Sequence, residues 1–142
     1  MAIVTEGDPT TISLKLENDD YTVLVGSDLL TQTASRISEL TSIKSIKAAI
    51  VTDTNVGPLY AKTVEASLNA AGIDTVLITV PAGEASKGME RATDVCRQML
   101  RAGLDRKSFL IALGGGVVGD LAGFCAAIFQ RARNLITNIA CA

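Results

Sequence analysis

The chain has 142 residues, 48% hydrophobic and 20% charged, with a net charge of −2; a chain of this size fits one globular domain that buries about two-thirds of its unfolded surface without metal or disulfide support. The near-neutral balance leaves no electrostatic footprint for nucleic acid, and every apolar run is far shorter than the roughly 18 residues that span a bilayer. Histidine is absent, which excludes a His-containing zinc site, a histidine general base and a Ser-His-Asp triad within this chain.

The opening MAIVTEGDPTTI lacks a basic segment and a sustained apolar one, and Lys15 is the only Lys or Arg ahead of Arg36. Neither a secretory nor a transit leader is expected, and a cytoplasmic location is the default. Cys96, Cys125 and Cys141 are widely spaced, odd in number and set in apolar patterns, which fits reduced thiols better than bridges.

Thr11 to Glu17 alternate apolar and polar residues, predicting a half-buried strand. Asn18-Asp19-Asp20 supplies a turn, and Tyr21 to Val25 returns to make a hairpin closed by Gly26. Ser27 or Asp28 then caps a helix running to about Leu40, with Leu30, Ala34 and Ile37 on one face.

Lys47 to Val51 is a short apolar strand, followed by Thr52-Asp53-Thr54-Asn55 at its carboxyl end, where open α/β sheets place ligand contacts. Asp53 has two readings: a turn or cap residue for the next helix, or an acceptor for ribose hydroxyls. That helix runs from Pro58 to Ala71, presents Tyr60, Val64, Leu68 and Ala71, and stops at Gly72. Thr75 to Val80 is a β-branched strand, completing a right-handed parallel crossover.

Pro81-Ala82-Gly83-Glu84-Ala85-Ser86-Lys87 leaves this strand. Glu84 and Lys87 are three apart at a helix start, where a plain surface salt bridge competes with a binding role. The helix continues through Met89, Ala92, Cys96, Met99 and Leu100 to Gly103, its Met and Cys serving as core filler. Asp105-Arg106-Lys107 is a solvated turn.

Phe109 to Leu113 has the length and content of a strand buried on both faces, stopped by Gly114, Gly115 and Gly116. Apolar residues then recur at helical spacing, Val117, Leu121, Phe124, Ala127, Ile128 and Arg131, giving strand, glycine turn, helix. Residues without Cβ let a ligand lie against the main chain, and the helix start offers unpaired N–H groups and partial positive charge, an arrangement suited to phosphate. Close helix-on-strand packing is the competing use of those glycines. Gly114, Gly116 and Gly119 also satisfy G-x-G-x-x-G, but no carboxylate stands in Ile136 to Ala142, where the dinucleotide fingerprint expects one. The turn therefore follows a later strand of the sheet rather than a first βαβ unit.

The element order predicts an α/β fold: a doubly wound, mainly parallel, Rossmann-like sheet with the N-terminal β-hairpin attached at one edge. Leu135 to Ile139 can add a further strand.

The run LGGGVVGDLAGFCAAIFQR resembles the signature of the 3-dehydroquinate synthase family, and Thr52-Asp53-Thr54-Asn55 and Pro81 to Lys87 resemble two of its earlier motifs in the same order. The likeness runs from about Ile12 to Arg131, with residues 132–142 departing from the pattern; the whole chain, 1–142, reads as the NAD-binding N-terminal domain of such an enzyme. The resemblance implies conversion of 3-deoxy-D-arabino-heptulosonate 7-phosphate to 3-dehydroquinate and phosphate, in the shikimate pathway of aromatic amino acid biosynthesis. It implies NAD contacts at Asp53, Asn55, Glu84, Lys87, Gly115, Gly116, Val117, Val118, Gly119 and Asp120. Arg131 matches an arginine reaching the phosphorylated sugar acid substrate across a subunit boundary, which implies a homodimer. The family's divalent metal, zinc or cobalt, is held by a second, helical domain whose ligands have no counterpart here. No catalytic residue and no metal ligand is assigned to this chain, which is expected to be inactive alone. Another sugar-phosphate cyclase of the same superfamily, and a non-catalytic nucleotide-binding or interaction fragment, are the alternative expectations.

Overall fold

A computed structural model describes residues 9–15, 20–40, 47–129 and 135–138. The chain order is β1 (Thr10–Lys15), β2 (Asp20–Val25), a 3-10 turn at Leu29–Gln32, α1 (Thr33–Leu40), β3 (Lys47–Asp53), α2 (Gly57–Ala70), β4 (Asp74–Val80), a 3-10 turn at Glu84–Ser86, α3 (Met89–Arg101), β5 (Phe109–Leu113), α4 (Gly116–Ile128) and β6 (Leu135–Asn138). Among the described residues no helix is long and apolar enough to cross a membrane.

Four strands form one sheet in the order β4-β3-β5-β6, parallel throughout. The period-two geometry of a strand splits the apolar runs between two cores. Ala48, Ile50, Phe109 and Ile111 face α1 and α2. Ala49, Val51, Leu110 and Ala112 face α3 and α4. Every residue of β5 is buried, as the uninterrupted apolar text predicts for a parallel strand covered on both sides.

Three expectations are corrected. The hairpin forms a separate two-stranded sheet rather than an edge of the main one, and all six residues of β1 are exposed. Its alternation marks a face made apolar by Ile12, Leu14 and Val23, but all three remain exposed. The helix expected from Ser27 or Asp28 begins as a 3-10 turn; Asp28 lies in the left-handed region with φ 56° and makes no side-chain cap. Its carbonyl instead accepts from the Thr31 amide and hydroxyl.

The third correction is rotational. On α4 the buried residues are Val118, Leu121, Ala122, Cys125 and Ala126, while Phe124 and Ile128 are exposed. On α3 they are Ala92, Val95 and Met99, leaving Met89 and Leu100 exposed. α2 keeps the expected face, with Val64 and Leu68 buried and Tyr60 packed partly buried against the core, and only Ala71 is exposed; Gly57 and Ala61 join the buried set. On α4 the contact line mixes small residues with Val118 and Leu121, so the bulky Phe124 and Ile128 do not mark it.

Candidate functional site

In this strand order β3 lies between β4 and β5, the two strands reached by successive crossovers. After β3 the chain passes to the α2 face; after β5 it passes to the α4 face. Loops leaving neighbouring strands for opposite faces open a crevice at their carboxyl ends, the usual ligand position in an open α/β sheet. Thr52 pairs with Leu113 in the parallel register, so Asp53 and Gly114 leave their strands side by side at that crevice.

The glycine turn divides its labour. A Cβ on Gly114 would meet Val118 Cγ2 at 2.9 Å, so this glycine is required by helix-on-strand packing. Added at Gly115, Gly116 or Gly119, a Cβ would meet nothing within 4 Å. Packing does not explain those three; the space beside them is open. α4 begins at Gly116 with no side-chain cap, and the Gly119 amide donates to Gly115 O at 3.0 Å. The amides of Gly116, Val117 and Val118 precede the first amide that donates within the helix, and they sit at the end where partial positive charge collects. The Val118 side chain is buried, so only its main chain is available to a ligand.

Asp53 does what the turn reading predicted. Its Oδ1 accepts from the amides of Asn55 and Val56, both at 2.8 Å. Oδ2 has no partner among the described residues, so the turn role leaves one carboxylate oxygen for the crevice. Asn55 is exposed.

On the β4 side, Gly83 takes φ +106°, a conformation that a side chain disfavours, and the 3-10 turn follows. Lys87 Nζ stands 2.9 Å from Asp120 Oδ2 and 3.4 Å from Glu84 Oε2. The Asp120 hydrogen bond and charge, followed by the charge of Glu84, raise the Lys87 pKa above its ordinary 10.5. Glu84, Lys87 and Asp120 thus come together beside the first turn of α4. Arg131 and Cys141 lie outside the described residues, and among the described residues no three His, Cys, Asp or Glu side chains gather as a metal site.

Two residues without a sequence-assigned site role belong to this framework. Thr54 Oγ1 accepts from the Ala82 amide at 3.1 Å, and the buried Ser86 hydroxyl donates to the Pro81 carbonyl. Their hydroxyl residue types beside strand ends were the only signal available.

The family profile described as 3-dehydroquinate synthase N-terminal matches residues 77–140. A 3-dehydroquinate synthase of Symbiobacterium thermophilum is 44% identical over 123 residues, 87% of this chain and 34% of that protein. One from Rhizobium johnstonii is 42% identical over 121 residues, 85% of this chain and 32% of that protein. The chain belongs to the 3-dehydroquinate synthase family. It corresponds to the N-terminal part, spanning about a third of the length of the curated relatives it matches. Solved structures carry the same fold. A 2-deoxy-scyllo-inosose synthase complexed with carbaglucose-6-phosphate, NAD+ and Co2+ superposes with TM-score 0.78 at 18% identity, over 90% of this chain and 34% of that one. The 2-epi-5-epi-valiolone synthase of Streptomyces hygroscopicus subsp. jinggangensis, with NAD+ and Zn2+ bound, gives 0.66 at 26% identity over 89% and 33%. The Rossmann-like α/β architecture expected for the synthase family is therefore the one observed.

Proposed function

We propose that the chain is the NAD-binding N-terminal domain of a 3-dehydroquinate synthase acting in the cytoplasm in aromatic amino acid biosynthesis. The observation that carries this reading is the bare start of α4: three amides without helical acceptors beneath glycines whose missing Cβ atoms leave open space. A diphosphate fits that cradle, since several N–H groups acting together add to a dipole contribution of about 0.3–1 kcal/mol per charge. Lys87 supplies cationic charge beside it. Asp120 is held by that lysine, which offsets its repulsion toward phosphate. The uncommitted Oδ2 of Asp53 suits a ribose hydroxyl, with Asn55, Glu84 and the main chain of Val117, Val118 and Gly119 completing the cofactor surface.

NAD+ when bound supplies hydride acceptance and return, and the protein supplies placement and exclusion of water. The divalent metal of the family does not fit the described residues, which gather no donor set; it belongs with the remainder of the family fold. Arg131 is assigned by motif alone to the phosphorylated sugar acid, donated across a homodimer.

The 142-residue chain is proposed to bind NAD+ without turning substrate over. Incubation with NAD+, zinc or cobalt and 3-deoxy-D-arabino-heptulosonate 7-phosphate should release no phosphate above background; metal-dependent release would overturn this. Calorimetric titration with NAD+ should show binding that Gly116→Val removes; equal binding by the variant would reject the placement. The second enzymatic reading, another sugar-phosphate cyclase, is favoured by fold likeness to the inosose and valiolone synthases, whereas the 42–44% sequence relatives favour the first.

A further inference from the structure

We propose that Thr54 is a positioning residue that acts through Lys87 to prepare the diphosphate end of the cofactor site, an inference that rests on the NAD-binding reading above. Thr54 follows the last residue of β3. Its amide donates to the Val80 carbonyl at 3.0 Å, and its hydroxyl oxygen accepts from the Ala82 amide at 3.1 Å. One residue therefore joins the carboxyl ends of β3 and β4 twice, by main chain and then by side chain. The second tie fixes the start of the segment that carries the lysine.

From there the segment closes on itself. The Gly83 carbonyl accepts from the Ser86 amide at 3.1 Å, the Glu84 carbonyl from the Lys87 amide at 3.0 Å, and the buried Ser86 hydroxyl donates back to the Pro81 carbonyl. A loop with this many internal bonds moves as a body, so the position of Ala82 sets the position of Lys87. At the far end the ammonium reaches Asp120 on α4 at 2.9 Å. Thr54 thus begins a connected path from the β3 loop to the glycine turn, across the crevice.

The side chain of Thr54 is exposed and Ala82 is half-buried, so water can replace the lost acceptor in the ligand-free protein. What suffers is placement, not folding. Thr54→Val keeps the shape and the main-chain bond to Val80 while removing the acceptor; Thr54→Ser restores the acceptor. Titrations with NAD+ on the wild-type chain, Thr54→Val, Thr54→Ser, Lys87→Gln and the Thr54→Val/Lys87→Gln pair, each with a thermal midpoint, test the idea.

Thr54→Val should bind about three- to tenfold more weakly, the scale of one net hydrogen bond. Thr54→Ser should stay within about twofold of wild type, and the valine change should add nothing once Lys87 is gone. Each Thr54 change should leave the thermal midpoint of its parent, wild type or Lys87→Gln, unmoved, which a merely structural role would not allow. Wild-type affinity in Thr54→Val, or an undiminished penalty in the Lys87→Gln background, overturns the inference while leaving NAD binding intact. A wild-type chain that fails to bind NAD+ overturns both. Thr54→Ala gives the same comparison should valine disturb the turn.

Discussion

Lys87 on the segment after β4 and Asp120 in α4 meet at 2.9 Å between Nζ and Oδ2, joining the loop that leaves one strand to the helix that follows another. Asp120 raises the lysine pKa above 10.5, with Glu84 adding to the effect. Because the folded value exceeds the unfolded one, the pair's stabilisation is fully present below the unfolded value and is lost as pH rises through the folded value. The stability difference between wild type and Asp120→Asn should therefore be constant across neutral pH and vanish only in strong alkali, above about pH 10.5. Urea midpoints of both proteins across that range check this; a difference already gone at neutral pH would contradict it. The effect is small, since both side chains are partly exposed.

The glycines should separate by purpose. Gly114→Ala forces a methyl against Val118 and should cost about 1–3 kcal/mol, as overpacking does in a filled core. Gly116→Ala meets open space and should leave stability unchanged or slightly raised by reduced chain entropy. Chemical denaturation of the two variants makes the comparison; equal destabilisation would show that Gly116 also serves packing.

Asp53 holds a turn and is proposed to accept from a ribose hydroxyl as well, and only the second role requires charge. Asp53→Ala removes the acceptor for the Asn55 and Val56 amides and should cost about 1 kcal/mol, the usual net scale of a lost hydrogen bond. Asp53→Asn keeps an acceptor and should hold most of that stability while weakening NAD+ binding, because a ribose hydroxyl loses its carboxylate. Paired melting and titration experiments read the two effects apart. Asparagine binding NAD+ as well as aspartate would remove Asp53 from the site.

Cys125 is buried, and burial pushes its thiol up to about 12. Thiolate is the reactive form, so iodoacetamide at mildly alkaline pH should leave Cys125 unmodified in the native protein and label it after denaturation. Cys96 is half-buried, its thiol also raised chiefly by burial, and it should react first of the two. Peptide mass mapping distinguishes them; native labelling at Cys125 would mean that α3 and α4 part readily.

The parallel sheet was legible because β3 and β5 are short, apolar and bounded by turn residues, and strands buried on both faces leave that trace. The faces of α1 and α2 were legible too, but that of α4 was not. In α4 nearly every residue is apolar or small, so period alone cannot choose between the Phe124 side and the Ala122 side; contact with the sheet chose the latter. The hairpin misled for the opposite reason: alternation reports that a strand has an apolar face, not that anything covers it. Within the candidate site, Asp53 and the glycines stood out in the sequence because an acid and a run of three glycines directly follow apolar strands. Thr54 could not, since its bond to Ala82 spans 28 residues and no local pattern records it.

The central claim is that the first amides of α4 receive a diphosphate, and amide NMR of the isotope-labelled chain titrated with NAD+ observes those groups directly. The largest shifts should fall on Gly115 through Asp120, with smaller ones at Asp53 and Lys87, and they should be absent in Gly116→Val. Shifts confined to the opposite end of the sheet, or a glycine turn left unmoved by saturating NAD+, would contradict it.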